Sequence, residues 1–328
     1  MGTRSRTLWL TVFAGLLAAA GIAAFVAFRG DGDSETGPRR VDDPLAGFDR
    51  PRTIHFAPDG RLLVTDVGTG EDDGRVIAID LEAGTREVLL EDLPSVEAGN
   101  AAFAGMSGAS GAAMASDGTL CVVIGAGPEG RGFSELRCTD GLRVDLLAYE
   151  RENNPGGGAI ESDPFDVVFG SAFGDWYVSD AGANVVLHVS RQGEVAVIGV
   201  LNEHIGLGGN EGEPRGLSVS EGFLSTALFG GGVITGGAGM SVPVFAPDAH
   251  PIAVAPYEQP IPGPARAVIF LSYGDQAGSE NSGSIRIGDA VVLDGLDRPT
   301  GFVALGGGRY VVAEEERGRV RIVGGDAR

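Results

Sequence analysis

The chain has 328 residues, 43% of them hydrophobic and 55 of them glycine, which gives enough apolar content for a large core in a chain full of turns. Its formal charge is −21, and every one of its 24 basic residues is Arg. So acidic a surface repels phosphate backbones and excludes nucleic acid as the expected partner.

From Leu8 to Phe28 runs an uncharged apolar segment. As a helix rising about 1.5 Å per residue it spans the roughly 30 Å hydrocarbon core of a bilayer. Arg4 and Arg6 precede it and favour a cytoplasmic amino terminus. Residues 1–30 are therefore read as a signal anchor, with a cleaved signal peptide as the alternative, since signal-peptide apolar regions usually run to about 7–15 residues. Either reading puts the body outside the cytoplasm, as a single-pass cell-membrane protein or a secreted one. No Cys precedes Cys121, so a lipoprotein anchor is excluded. Residues 31–43 are mostly Gly, Asp, Glu, Ser and Arg with one Pro, one Thr and one Val, a composition that predicts a flexible acidic tether.

Residues 44–328 read as all-β. Pro51-Arg-Thr-Ile-His-Phe56 opens a pattern, Pro-x-x-apolar-x-apolar, that recurs at Pro164–Phe169, Pro214–Val219 and Pro299–Ala304. Pro264-Ala-Arg-Ala-Val-Ile269 is a looser copy, and Ser110-Gly-Ala-Ala-Met-Ala115 is a copy without the Pro. Each copy predicts the first strand of a four-stranded unit, with Pro at the strand start, where its missing donor does no harm. The clearest unit runs from Asp163 to Val200, as four short apolar strands joined by three tight turns. Such a unit repeated about every fifty residues is the signature of a β-propeller blade, and six copies predict six blades, with a seventh as the alternative in the Gly- and Pro-rich residues 230–264. Several second strands, such as Cys121-Val-Val-Ile and Tyr310-Val-Val-Ala, are continuous apolar runs, as burial on both faces requires. The last blade has only three strands, so the stretch around Val41 to Phe48 is expected to supply its fourth. Both cysteines fall in one predicted hairpin whose register sets Cys121 opposite Cys138, and a disulfide is expected there. Between blades two and three, Asp145 as N-cap and Pro155 as terminator predict one or two helical turns.

Within and after that insertion, Asp145-Leu-Leu-Ala-Tyr-Glu150, Asn153-Asn-Pro-Gly156, Ser162-Asp-Pro-Phe165 and Tyr177-Val-Ser-Asp-Ala-Gly-Ala-Asn184 resemble the ScyD/ScyE family of exported propellers. The resemblance covers Gly47 to Val200 well and the remainder only in blade pattern. It implies an NHL-like six-bladed fold and an extracytoplasmic address, and no agreed chemistry.

In a propeller the loops leading into the innermost strands and the turns after the second strands gather around the central channel. The lead-in loops offer Arg52, Asp166, Arg215 and Arg266. The turns offer Asp66 beside Glu71–Asp73, Asp180 with Asn184, Asp275 with Glu280 and Asn281, and Glu314. The expected ligand-binding set is Arg52, Asp66, Asp166, Asp180, Asn184, Arg215, Arg266 and Glu314. Asp166 and Arg266 place a charge where other copies carry Thr53, Gly216 and Gly301, which points to ligand contact at the channel mouth.

No Gly-x-Ser-x-Gly elbow is present, and His55, His188, His204 and His250 lack metal-ligand spacing and read as packed or solvated imidazoles. The sequence thus predicts an exported, membrane-anchored, non-enzymatic propeller without a cofactor, binding a small molecule, glycan or extracytoplasmic protein at its channel face. The alternative is a Ca²⁺-dependent hydrolase or lactonase. That reading requires three or more of Asp66, Asp166, Asp180, Asn184 and Glu314 to converge within about 2.3–2.6 Å of one ion.

Overall fold

The computed structural model describes residues 39–40, 43–97, 105–172, 174–201, 212–220, 223–237, 240–245, 250–256, 268–275 and 279–325. The apolar segment Leu8–Phe28 and the tether up to residue 38 lie outside them. No helix among the described residues is long and apolar enough to cross a membrane.

Among the described residues six antiparallel sheets follow one another in chain order as a six-bladed β-propeller, and a small two-stranded sheet pairs Val96–Glu97 with Met106–Ser107. Blade 1 comprises Pro51–Phe56, Leu62–Asp66, Gly74–Asp80 and Thr85–Leu93, and blade 2 comprises Ala109–Met114, Leu120–Ile124, Glu135–Cys138 and Arg143–Asp145. Blade 3 comprises Pro164–Gly170, Asp175–Asp180, Val185–Val189 and Val195–Val200, and blade 4 comprises Pro214–Ser220, Phe223–Leu228, Gly232–Gly237 and Met240–Phe245. Blade 5 comprises Pro251–Pro256, Val268–Ser272, Gly283–Ile287 and Ala290–Leu296, and blade 6 comprises Pro299–Gly306, Arg309–Glu314 and Arg319–Gly324. In each blade the first strand is innermost.

Every inner strand slips register against its neighbour just after its opening residue, at Pro51, Ala109, Pro164, Pro214, Pro251 and Pro299. Each inner strand thus begins with a bulge that re-aims the residues behind it, a place where proline, with no N–H to give the ladder, is tolerated. Blade 2 does the same with Ala109 in the proline's place, one residue earlier than the sequence pattern suggested.

The core lies between blade faces. Leu63, Val76 and Ala78 of blade 1 pack against Ala112, Leu120, Val122 and Ile124 of blade 2. Val123 and Leu136 of blade 2 pack with Val167, Trp176 and Val178 of blade 3. Second strands such as Leu62–Asp66 and Leu120–Ile124 are buried throughout, which explains their unbroken apolar reading. Each such side chain contributes on the order of 1.5–3 kcal/mol by leaving water.

Two expectations are corrected. The inner strand of blade 5 is Pro251–Pro256, and the run from Val268 belongs to the second strand. Pro251-Ile-Ala-Val254 opens with the same proline pattern and buries Ile252 and Val254, whereas Val268-Ile-Phe-Leu-Ser272 is the apolar run of a second strand. Arg266 consequently precedes a second strand, and it lies outside the described residues.

The ring also closes differently. Arg39–Arg40 adds a fifth, outermost strand to blade 1, opposite Thr85 and Arg86, and the described sheet of blade 6 has three strands. Residues 43–48 contain no strand. Side chains join the first and last blades instead: Phe48 packs with Val303, Val311 and Val320, and Thr300 Oγ1 donates to the Pro51 carbonyl at 3.2 Å.

The insertion is a helix, Leu146–Asn153, capped by Asp145 accepting from Ala148 N and ended by Asn154 in the left-handed region. Cys121 and Cys138 sit directly opposite each other on adjacent strands of blade 2 and are joined by a disulfide.

Candidate functional site

The third residue of each inner strand forms a ring around the channel: Thr53, Gly111, Asp166, Gly216, Ala253 and Gly301. Glycine alternates with residues that carry side chains. The reason is close approach. A Cβ on Gly111 would lie 2.5 Å from Asp166 Cα, one on Gly216 would lie 2.6 Å from Ala253 Cα, and one on Gly301 would lie 2.8 Å from Thr53 Cα.

Asp166 carries the one charge of the ring and is 1% exposed. Its Oδ1 accepts from Val167 N at 2.8 Å, and its Oδ2 accepts from Leu217 N of blade 4 at 2.8 Å. Passing over the bare Gly111, Oδ1 also accepts from His55 Nε2 of blade 1 at 2.8 Å. One carboxylate therefore ties together blades 1, 3 and 4. Burial works against the His55 imidazolium, but the charge and hydrogen bond of Asp166 outweigh it and raise the His55 pKa above its ordinary value. Among the described residues Nδ1 of His55 has no hydrogen-bond partner.

Beside this pair lies a channel cavity of about 320 Å³. Its walls are the third and later residues of the inner strands, and its collar is apolar, with Phe56, Met114, Phe169, Val219 and Ala304. Among the described residues His55 and Asp166 are the only titratable groups that line it. Phe56 is 47% exposed, while the Asp166 side chain is 2% exposed, so the cavity runs inward from the far ends of the inner strands to the charged pair.

At the lead-in end, Arg52 and Arg215 are both buried. Arg52 grips Glu315 of the last blade through Nε–Oε2 at 2.8 Å and Nη2–Oε1 at 2.6 Å. It also donates to Ser110 Oγ and the Met106 carbonyl, each at 3.0 Å, so one guanidinium spans blades 6, 1 and 2. Arg215 donates to Glu213 Oε2 at 3.0 Å, lies 3.6 Å from Asp163 and covers the rings of Phe165 and Phe229. These two arginines hold the ring together, and neither lines the cavity.

The expected acids do not converge. Asp66, Asp180 and Glu314 each end a second strand opposite the proline that opens the inner strand of the same blade. Each uses its carboxylate on backbone N–H groups of its own lead-in loop: Asp66 on Asp49 and Arg50, Asp180 on Asp163, and Glu314 on Asp297. Asp66 also takes Arg75 at 2.5 Å, and Glu314 takes Arg319 and Arg321. Among the described residues Asp180 has Ser162 Oγ and backbone donors as partners, and burial pushes its pKa up to about 6. Asn184, in the left-handed region, accepts from Glu213 N at 3.0 Å. The turn acids serve their own loops in the same way, Asp73 accepting from Thr69 and Asp275 from Ser279. Of the described residues in the sequence-derived set only Asp166 lines the cavity, and His55 joins it. The signal for His55 was present: at the fifth inner-strand position the other blades carry Ala113, Val168, Ser218, Ala255 and Val303, none of them titratable.

No family model matches the chain, and no curated protein matches it in sequence. Solved structures do match, and they are NHL/SMP-30-like six-bladed propellers. A virginiamycin B lyase from Staphylococcus aureus aligns with a TM-score of 0.50 at 13% identity, over 90% of each chain. A protein described as a putative gluconolactonase aligns with a TM-score of 0.50 at 11% identity, over 89% of this chain and 92% of that one. A chain of a nidogen/laminin complex aligns with a TM-score of 0.52 at 9% identity, over 77% of this chain and 86% of that one. At these identities the likeness establishes the fold.

Proposed function

We propose that this chain is an exported six-bladed propeller that binds a small molecule in its central channel and performs no chemistry on it. The observation that carries the reading is the cavity, an apolar collar leading to the buried His55–Asp166 pair. Ligand sites are concave, mostly apolar and fitted with a few convergent polar groups, typically in about 300–1,000 Å³. Its neighbours in fold include an enzyme and a member of a protein complex, so the fold alone does not choose a function. A glycan or protein docking at the lead-in end would meet Arg52 and Arg215 already engaged. The Ca²⁺-hydrolase reading has less support, because among the described residues Asp66, Asp180 and Glu314 each hydrogen-bond within their own blade and no group of three acidic or His side chains gathers around one point.

The address rests on Leu8–Phe28 as a signal anchor and on the ScyD/ScyE resemblance of residues 145–184. The Cys121–Cys138 disulfide is of a kind that persists in oxidising compartments. Native mass spectrometry of the full chain purified from its own membranes tests the binding claim. A bound small molecule should accompany the wild type and be missing from Val219→Trp, which fills the collar. Equal loading of the two proteins, or none in either, would sink the reading.

A further inference from the structure

We infer that the channel takes an apolar molecule with an anionic head, a carboxylate of the fatty- or aryl-acid class, seated on His55 Nδ1. The inference deepens the channel-binding reading and rests on it.

The donor set decides the head group. Asp166 already accepts three hydrogen bonds, from His55, Val167 and Leu217, and a carboxylate has no proton to offer. Because Nε2 is directed at Asp166, Nδ1 is the ring atom left to meet a ligand. In the imidazolium form Nδ1–H is a charged donor, and charge-assisted hydrogen bonds to carboxylates are roughly twice as strong as neutral ones. Among the described residues no other cationic side chain lines the cavity, so His55 is where an anion would sit. The collar of Phe56, Met114, Phe169 and Val219 offers hydrocarbon and sulfur contact, which fixes the rest of the ligand as apolar. The Phe56 ring, 47% exposed at the rim, offers apolar area that a ligand's tail would remove from water.

Binding of such a molecule depends on pH. Asp166 is the charged group that faces His55, while Leu63 on the neighbouring strand and the lining residues of blades 2, 4, 5 and 6 carry no charge. With the His55 pKa raised by Asp166, the imidazolium persists above its ordinary range. Affinity for the anion is constant below the folded-state pKa and falls about tenfold per pH unit above it.

Isothermal titration of the full chain with octanoate and with 1-octanol, from pH 6 to 9, tests this. The expected result is octanoate binding that weakens stepwise with rising pH while octanol binding stays level. His55→Gln should remove the step and leave octanol bound; the wild-type series decides the matter if that variant does not fold. Octanol binding with octanoate absent or insensitive to pH overturns the head-group inference and leaves the channel reading standing. Failure of both probes at every pH overturns the apolar-ligand inference together with the channel reading.

Discussion

Gly111 and Asp166 occupy the same place in successive blades, and the carboxylate of one fills the space that a side chain on the other would need. A Cβ on Gly111 would stand 2.5 Å from Asp166 Oδ1. This is what lets a group on blade 3 reach His55 on blade 1.

Gly111→Ala should therefore displace the carboxylate. Overpacking of this kind costs about 1–3 kcal/mol, and His55, losing its acceptor, should titrate at lower pH. Denaturant unfolding reads the first effect and the histidine ring resonances read the second. A fully stable variant with an unchanged His55 titration would contradict the proposed contact.

His55 links folding to pH. Its folded-state pKa is raised, so the stabilisation is full below the unfolded value of about 6.5 and is lost as pH rises through the folded value. Wild-type stability should fall across that window, and His55→Gln should flatten the curve. Parallel curves for the two proteins would show that the pair contributes nothing.

Asp180 has the opposite kind of shift for an acid. Burial raises its pKa to about 6, so the folded state holds a proton that the unfolded chain, titrating near 3.9, has released. Stability should fall by roughly 3 kcal/mol as pH rises from about 4 to 6. Asp180→Asn keeps an oxygen for Asp163 N and Ala183 N and offers its amide to Ser162, so it should remove this slope and gain stability at neutral pH. A slope that survives in Asp180→Asn would assign the effect to another group.

Arg52 and Glu315 latch the last blade to the first, both almost wholly buried. Arg52→Met should cost about 3–5 kcal/mol, because it strands the Glu315 carboxylate. Adding Glu315→Gln should recover part of that loss, since the stranded charge is then gone. A double variant no more stable than Arg52→Met would mean that packing, and not the stranded charge, set the cost.

Blade architecture was legible because it is local. Proline at strand starts, apolar second strands and the facing cysteines are all set within one hairpin, and they predicted the first strands of blades 1, 3, 4 and 6 directly, whereas the closing strand expected for blade 6 was not local and was missed. Blade 5 was misread because Pro251 and Pro264 both open the same spacing, and only packing chooses between them. The acids misled for a related reason. Asp66, Asp180 and Glu314 recur opposite the opening prolines because each blade must satisfy its own lead-in amides, a need of the repeat and not of a ligand. His55 and Asp166 are 111 residues apart, and their meeting depends on ring closure and on an absent side chain at position 111. No local pattern encodes that.

The most direct test of a ligand-taking channel is titration of the full chain with 1-anilinonaphthalene-8-sulfonate, an aromatic probe with an anionic head. The wild type should bind it saturably, one molecule per chain, and Val219→Trp should lose that binding while unfolding at the same denaturant concentration. Equal binding by the two proteins would place the probe elsewhere and contradict the channel as the site.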